Sequence, residues 1–312
     1  MPQRTGKVVV TGGAGFIGSN LVDRLLAGDC GQVVAFDNLS RGRLTNLSLA
    51  GQDRRFSFIQ GDVRDQLAVE HVLRGAEVVF HLAAQSTVMG AVNEIDDTFT
   101  TNVVGTFNVL RAAAREGVSR LVFASSREVY GEPIMLPVQE DAPLLAVNAY
   151  GASKIAGEAY CRAFRRSSGL RTSILRLANV YGPRDFGRVI PSWLAAAQCG
   201  QKLTVYGGKQ VIDFVWIGQA VDALVQATTI EGFLPPINVG SGTGTKIVDL
   251  ARRIARLAEA NPRLDLQPAR SVEVTRFIAN VERMREILNV EPPLDPLSEL
   301  RSMMATPAAI PG

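Results

Sequence analysis

The stretch Val8-Val9-Val10-Thr11-Gly12-Gly13-Ala14-Gly15-Phe16-Ile17-Gly18 reads as a short apolar strand that runs into glycines and then into a helical pattern. Gly13, Gly15 and Gly18 fit G-x-G-x-x-G, while Gly12, Gly15 and Gly18 fit G-x-x-G-x-x-G. Without Cβ atoms, the backbone N–H groups of such a loop approach a pyrophosphate closely. The anion then sits at the helix N-terminus, where the dipole favours negative charge. Phe16 and Ile17 open that helix and belong to the same cofactor-facing turn. Glycine loops are common, so context decides. Asp37 stands nineteen residues beyond Gly18, where a second apolar run ends. A carboxylate there accepts the ribose hydroxyls of NAD and repels the extra phosphate of NADP. The plainer reading is that Asp37 starts a turn with Asn38, and nearby Arg41 works against the NAD preference. NAD is the expected cofactor.

Outward from this stretch, apolar runs at 7–10, 32–36, 56–60, 77–81, 120–124 and 171–177 alternate with helical patterns near 16–28, 64–74, 98–117 and 149–168. Continuous apolar runs indicate strands buried on both faces, as in a parallel sheet covered by helices. The expected class is α/β, a Rossmann-like doubly wound parallel sheet with a smaller C-terminal substrate domain. Residues 1–179 should form the NAD-binding domain, with 210–240 returning to it. Residues 180–209 and 241–312 should form the second domain, including a helix over 247–260.

The 312 residues carry 33 basic and 30 acidic side chains, a net charge of +3, and no run of five like charges. The electrostatic footprint of a nucleic-acid binder is missing. Three scattered cysteines and two histidines, His71 and His81, suit neither a disulfide framework nor a metal site, so no metal is expected. No apolar stretch reaches the ~18 residues that span a membrane. The N-terminus lacks a signal-peptide core. The expected location is the cytoplasm.

Tyr150-Gly151-Ala152-Ser153-Lys154 places Tyr150 and Lys154 on one helix face. A phenol of pKa ~10 becomes a base near neutrality only with about 4 kcal/mol of preferential anion stabilisation. A neighbouring ammonium and the positive ring of NAD⁺ are suitable sources. Ser126 lies at the end of the run 120–124, and strand carboxyl ends face the cofactor in such sheets. A Tyr-x-x-x-Lys alone is usually a solvated face; with the glycine loop and Ser126 it reads as catalytic.

These segments resemble the extended short-chain dehydrogenase/reductase family, in particular its NAD-dependent sugar-nucleotide epimerases and dehydratases. The likeness runs from Val8 to about Leu288. It includes Asp37-Asn38-Leu39-Ser40, Gly61-Asp62-Val63, His81-Leu82-Ala83-Ala84-Gln85, Asn102-Val103-Val104-Gly105-Thr106, Ser125–Gly131 and Asn179-Val180-Tyr181-Gly182-Pro183-Arg184. The resemblance implies that Asn38 and Ser40 bind the cofactor and that Asp62 and Val63 contact adenine. It implies that Leu82, Ala83, Ala84 and Asn102 line the dinucleotide. Ser126 would bond the sugar 4-hydroxyl, Tyr150 would remove its proton, and Lys154 would hold ribose and tyrosine. Asn179 would face the substrate, a nucleotide sugar and foremost a UDP-sugar, and Arg270 would bind its diphosphate. A family arginine is replaced in Ile212-Asp213-Phe214; Arg188, beside Val189, is the candidate to supply the missing charge. An acidic pair is replaced in Ile217-Gly218-Gln219, and Ala149 stands where proline is usual.

Glu128 leaves the reaction open. A glutamate there resembles dehydratases and decarboxylases, in which the carboxylate assists loss of a group next to the 4-ketone. The dehydratases pair it with an Asp, whereas this chain has Arg127, which cannot donate a proton. Glu128 as a salt-bridged partner of Arg127 is the plainer role. The expected activity is an NAD-dependent epimerase working through transient oxidation at C4. A lyase using Glu128 is the alternative, and a non-catalytic NAD-responsive regulator is a third class. A homodimer is expected through the helices near 98–117 and 149–168, with Val103, Phe107, Leu110, Ala156 and Ala159 outward.

Overall fold

Along the first strand, Val8 and Val10 enter one hydrophobic core while Val9 enters another. The same split recurs on the second strand between Val33 and Val34, and on the fourth between Phe80 and Val79. Side chains alternate across a strand, so a continuous apolar run feeds both faces of a sheet at once. In the computed structural model, residues 4–86, 88–258, 262–268 and 274–305 are described.

The first half holds β1 (Arg4–Thr11), α1 (Phe16–Leu26), β2 (Cys30–Asp37), β3 (Phe56–Gln60), α2 (Gln66–Leu73), β4 (Ala76–His81) and α3 (Val88–Asn93). There follow α4 (Ile95–Phe99), α5 (Gly105–Arg115), β5 (Arg120–Ser126), α6 (Ala149–Ser168), β6 (Thr172–Leu177) and β7 (Asn179–Tyr181). The rest is α7 (Val189–Gln198), β8 (Leu203–Tyr206), β9 (Val211–Trp216), α8 (Ile217–Gln226), β10 (Ile237–Val239), β11 (Gly244–Lys246) and α9 (Ile247–Leu257). The last elements are β12 (Leu264–Gln267), α10 (Glu282–Leu288) and α11 (Leu300–Ala305).

Seven strands form one sheet in the order β10-β6-β5-β4-β1-β2-β3, with every pairing parallel. The order reverses between β1 and β4, and ligands bind such sheets at that point, beyond the strand carboxyl ends. Side chains of α1 and α8 cover one face, and those of α2, α5 and α6 the other. A third core gathers Tyr181, Trp193, Leu203, Phe214, Leu250 and Ile254 into a smaller lobe. Two small sheets, β11-β9-β7 and β12-β8, frame it.

Several expectations change in detail. The helix expected over 98–117 starts at Ile95 and is interrupted by a π-turn, Thr100–Val104, that carries Asn102. Within the segment 210–240, β10 and α8 rejoin the large sheet, but β9 does not. It pairs with β7 and β11 instead. Its alternate side chains explain this position: Phe214 fills the small lobe's core and Val215 the sheet's core. Leu110, expected on an outer face, is fully buried against the sheet. Among the described residues, no helix is long and apolar enough to cross a membrane.

Candidate active site

Thr11 ends β1 and hands the chain to the glycine loop. Gly12 adopts φ +70, and a Cβ there would stand 2.8 Å from the Ala83 backbone nitrogen. Any larger residue would therefore lift the loop off the end of β4. Gly18 is tighter still, since its Cβ would meet the Gly12 carbonyl oxygen at 2.0 Å. On Gly15, by contrast, a Cβ would find only that oxygen, at 3.2 Å, so its outer side is open. Gly15 is also the N-cap of α1, with no side-chain cap and no acidic residue in the first turn. The first-turn N–H groups at Phe16 and Ile17 are left to a ligand, the donor set a pyrophosphate requires.

Asp37 ends β2, where the ribose hydroxyls are expected. Its Oδ2 accepts from Ala14 N at 3.0 Å and its Oδ1 from Leu39 N at 2.8 Å. Burial raises the carboxyl's pKa, and the amides of Leu39, Ala14 and Gly15 pull it back. Asn38 donates to Asp62 Oδ2 at 2.9 Å and accepts from Ser40 N at 3.0 Å, while Ser40 itself is exposed. Val63 packs on Gly105, where a Cβ would come within 2.6 Å, and its carbonyl accepts from Asn108 at 3.0 Å. These residues fit an adenosine diphosphate held between β1, β2 and β4.

Sequence reasoning missed what supports this cradle. Thr106 donates to the Asn102 carbonyl at 2.5 Å, so its oxygen must accept from His81 Nε2 at 2.9 Å. His81 Nδ1 then accepts from Thr11 Oγ1 at 2.7 Å, leaving the Thr11 oxygen to receive Ala83 N at 3.3 Å. Burial, then the charge of Lys154, pushes His81 down to about 3 and keeps it neutral for this relay. Asn102 grips Gln85 N at 2.7 Å and Gln85 O at 3.1 Å, and donates to Ser153 at 2.9 Å. It therefore ties the segment Leu82-Ala83-Ala84-Gln85 to α6. Its amide is engaged by protein.

The three residues expected to be catalytic, Ser126, Tyr150 and Lys154, lie where β5 ends and α6 begins. Asn148 caps α6 by accepting from Gly151 N at 2.8 Å, which sets Tyr150 in the first turn. Gly151 allows this approach, because a Cβ there would lie 2.4 Å from the Glu128 carbonyl oxygen. Ser126 stands near enough to the Tyr150 phenol to favour its ionised form, and its hydroxyl accepts from Glu128 N at 3.2 Å. Lys154, one turn on, donates to the Ala124 carbonyl at 2.8 Å and lies 5.7 Å from the Tyr150 ring centre. Burial lowers the ammonium's pKa to about 8. It also pushes the phenol up to about 12; Arg188 opposes this most, then Ser126 and Arg127, while Glu128 adds to it. The expected lowering of the phenol by Lys154 is therefore not delivered by the protein alone.

Among residues expected at the substrate, Glu128 is buried and held from both sides. Arg127 Nη2 lies 2.9 Å from Oε1, and Asn148 donates to Oε2 at 2.8 Å. Asn179 opens β7, with its buried Oδ1 unpartnered by protein. Arg188 stands at the N-cap position of α7 just before Val189, lies 5.6 Å from the Phe16 ring and pairs with Asp185 at 3.6 Å. It thus joins the small lobe to the glycine loop. Arg270 lies outside the described residues.

A model of the NAD dependent epimerase/dehydratase family matches residues 8–240. The chain belongs to this family. NAD is accordingly its cofactor, and the residues above fit it. A UDP-glucose 4-epimerase of Mycolicibacterium smegmatis is 38% identical over 92% of this chain and 93% of its own. UDP-glucuronic acid decarboxylase 4 of Arabidopsis thaliana is 33% identical over 92% of this chain and 65% of its own. The crystal structure of Thermus thermophilus UDP-glucose 4-epimerase in complex with NAD superposes with a TM-score of 0.88. It is 30% identical and covers 96% of this chain and 98% of that one.

Proposed function

We propose that the protein interconverts the C4 epimers of a nucleotide-diphosphate sugar, a UDP-sugar foremost. The observation that carries this reading is the convergence of Ser126, Tyr150 and Lys154 at the carboxyl end of β5, beside the dinucleotide cradle. When bound, NAD⁺ supplies an acceptor that takes the C4 hydride and returns it, and a positive ring that favours the ionised phenol.

The chain's own residues handle the proton and the geometry. Tyr150 Oη accepts the proton of the sugar 4-hydroxyl and later gives it back. Ser126 Oγ, near that phenol at the end of β5, holds the same hydroxyl in line. Lys154 contributes positive charge next to the tyrosine and a donor for ribose oxygens. Arg188 contributes a second positive charge toward the phenol. Asn179 Oδ1 is free to meet a sugar hydroxyl as the exposed face of the 4-keto sugar changes.

The lyase alternative would route a proton or a leaving group through Glu128. Two protein partners already hold that carboxylate, and one is the permanent cation Arg127. With both of its oxygens engaged by protein, Glu128 suits electrostatic support better than handling a proton or a leaving group. Incubation of the protein with a panel of nucleotide sugars, followed by mass spectrometry and sugar separation, tests the reading. The expected product has unchanged mass and is a 4-epimer. Loss of water or carbon dioxide would replace the reading with the lyase. Tyr150→Phe should lower kcat by about 10²–10⁴, as for loss of a general base, with NAD still bound.

A further inference from the structure

A buried ionic network lies beneath the catalytic turn. Glu158, one turn beyond Lys154 on α6, is completely buried, and Arg176 of β6 nearly so. They meet fork to fork, Nε to Oε1 and Nη2 to Oε2, both at 2.8 Å. Ser125, the neighbour of Ser126, donates to Glu158 Oε1 at 2.7 Å. Arg176 Nη1 donates to the Tyr130 hydroxyl and to the Glu140 carbonyl, each at 2.8 Å. Tyr130 in turn donates to Asn238 Oδ1 on β10 at 2.6 Å. One pair thus grips α6, β5, β6, β10 and the turn that follows Ser126.

Such a pair is a poor device for stability alone. Desolvating two charges costs several kcal/mol, and packed apolar side chains of equal volume often do as well. What apolar side chains do not supply is a directional grip on the strand end that carries Ser126, together with a negative charge one turn from Lys154. The groups facing Lys154 are few. Glu158 and Cys161 act on it from α6, the Ala124 carbonyl and Phe123 ring lie on β5, and neutral His81 approaches from β4. The Tyr150 ring lies on its other side, and Arg162 touches Glu158 Oε2 only at the solvent edge, at 3.3 Å. Among these neighbours Glu158 is the carboxylate.

We propose that Glu158 and Arg176 are positioning residues for the reaction centre, fixing Ser126 against α6 and giving the Lys154 ammonium its counter-charge. The inference rests on the epimerase reading of the site, and the test separates the two. Wild-type protein is first assayed for epimerisation; failure at this step removes the functional reading and says nothing against the pair. Glu158→Gln keeps the shape and the Ser125 contact but removes the charge. Its kcat should fall about tenfold, with the basic limb of the pH profile about one unit lower. NAD affinity of stripped protein, measured by titration calorimetry, should fall more at about pH 9 than at about pH 7, because Lys154 loses its proton sooner. Glu158→Gln/Arg176→Gln strands no buried charge, so it folds where the single variant does not, and it should show the same displaced limb. A folded variant with the wild-type pH profile and wild-type NAD affinity would overturn the proposal and leave the pair as ordinary packing.

Discussion

His81 shows how one residue supports a site without touching substrate. Its ring links Thr11, at the mouth of the glycine loop, to Thr106, and both bonds need the neutral form with the proton on Nε2. Burial, and then the Lys154 charge, holds it at about 3 in the folded protein. The unfolded chain binds that proton at an ordinary pKa of ~6.5, so it carries more protons than the folded state at mildly acidic pH. Stability is therefore present above about 6.5 and is lost as pH falls toward 3. Urea unfolding should show about 1 kcal/mol less stability at about pH 5.5 than at about pH 7 from this group. His81→Gln should flatten that step; an unchanged step would assign it to carboxylates elsewhere. The sequence gives His81 no role beyond its place in the segment His81–Gln85, because a lone histidine carries no pattern. The placement of Tyr150 and Lys154 on one helix and of Ser126 at a strand end was legible because spacing and element boundaries constrain all three.

At the scale of elements, strand runs and the glycine loop were readable because each residue there answers to two neighbours at once. Gly18 serves α1 and also faces the Gly12 carbonyl, so Gly18→Ala places a Cβ 2.0 Å from a backbone oxygen that cannot rotate away. This variant should lose NAD affinity by at least about tenfold and unfold at lower temperature, because the loop must shift; calorimetric titration and thermal melting check both. Wild-type affinity would mean that α1 can slide without disturbing the loop. Less was legible beyond residue 180. The elements there are short, with β7, β10 and β11 at three residues each, so periodicity has no length in which to appear. The displacement of β9 from the large sheet depends on which core Phe214 enters, a tertiary matter. The grips of Asn102 on Gln85 and Ser153, of Asn148 on Glu128 and of Glu158 on Ser125 were likewise hidden, since these partners lie 17 to 51 positions away in sequence.

For the whole molecule, we propose a homodimer through α4, α5 and α6. Ile95 and Phe99 on α4, Val104 in the π-turn and Tyr160 on α6 expose apolar surface, and Phe107 of α5 packs edge-on with Tyr160 and Phe164. Of the residues expected outward, Ala159 is exposed, Val103, Phe107 and Ala156 are half-buried, and helical periodicity turns Leu110 to the sheet. Light scattering at micromolar concentration should give twice the chain mass of 33.5 kDa, and Phe99→Asp should shift it to the single chain. A monomeric wild type would end that proposal without affecting the site. The central claim is that the C4 hydrogen leaves as hydride and returns to the same sugar, with Tyr150 moving only the hydroxyl proton. The direct measurement is epimerisation in deuterated water, followed by mass spectrometry of the separated product. The account predicts a 4-epimer with no deuterium on carbon, whereas a product carrying solvent deuterium at C4 would contradict it.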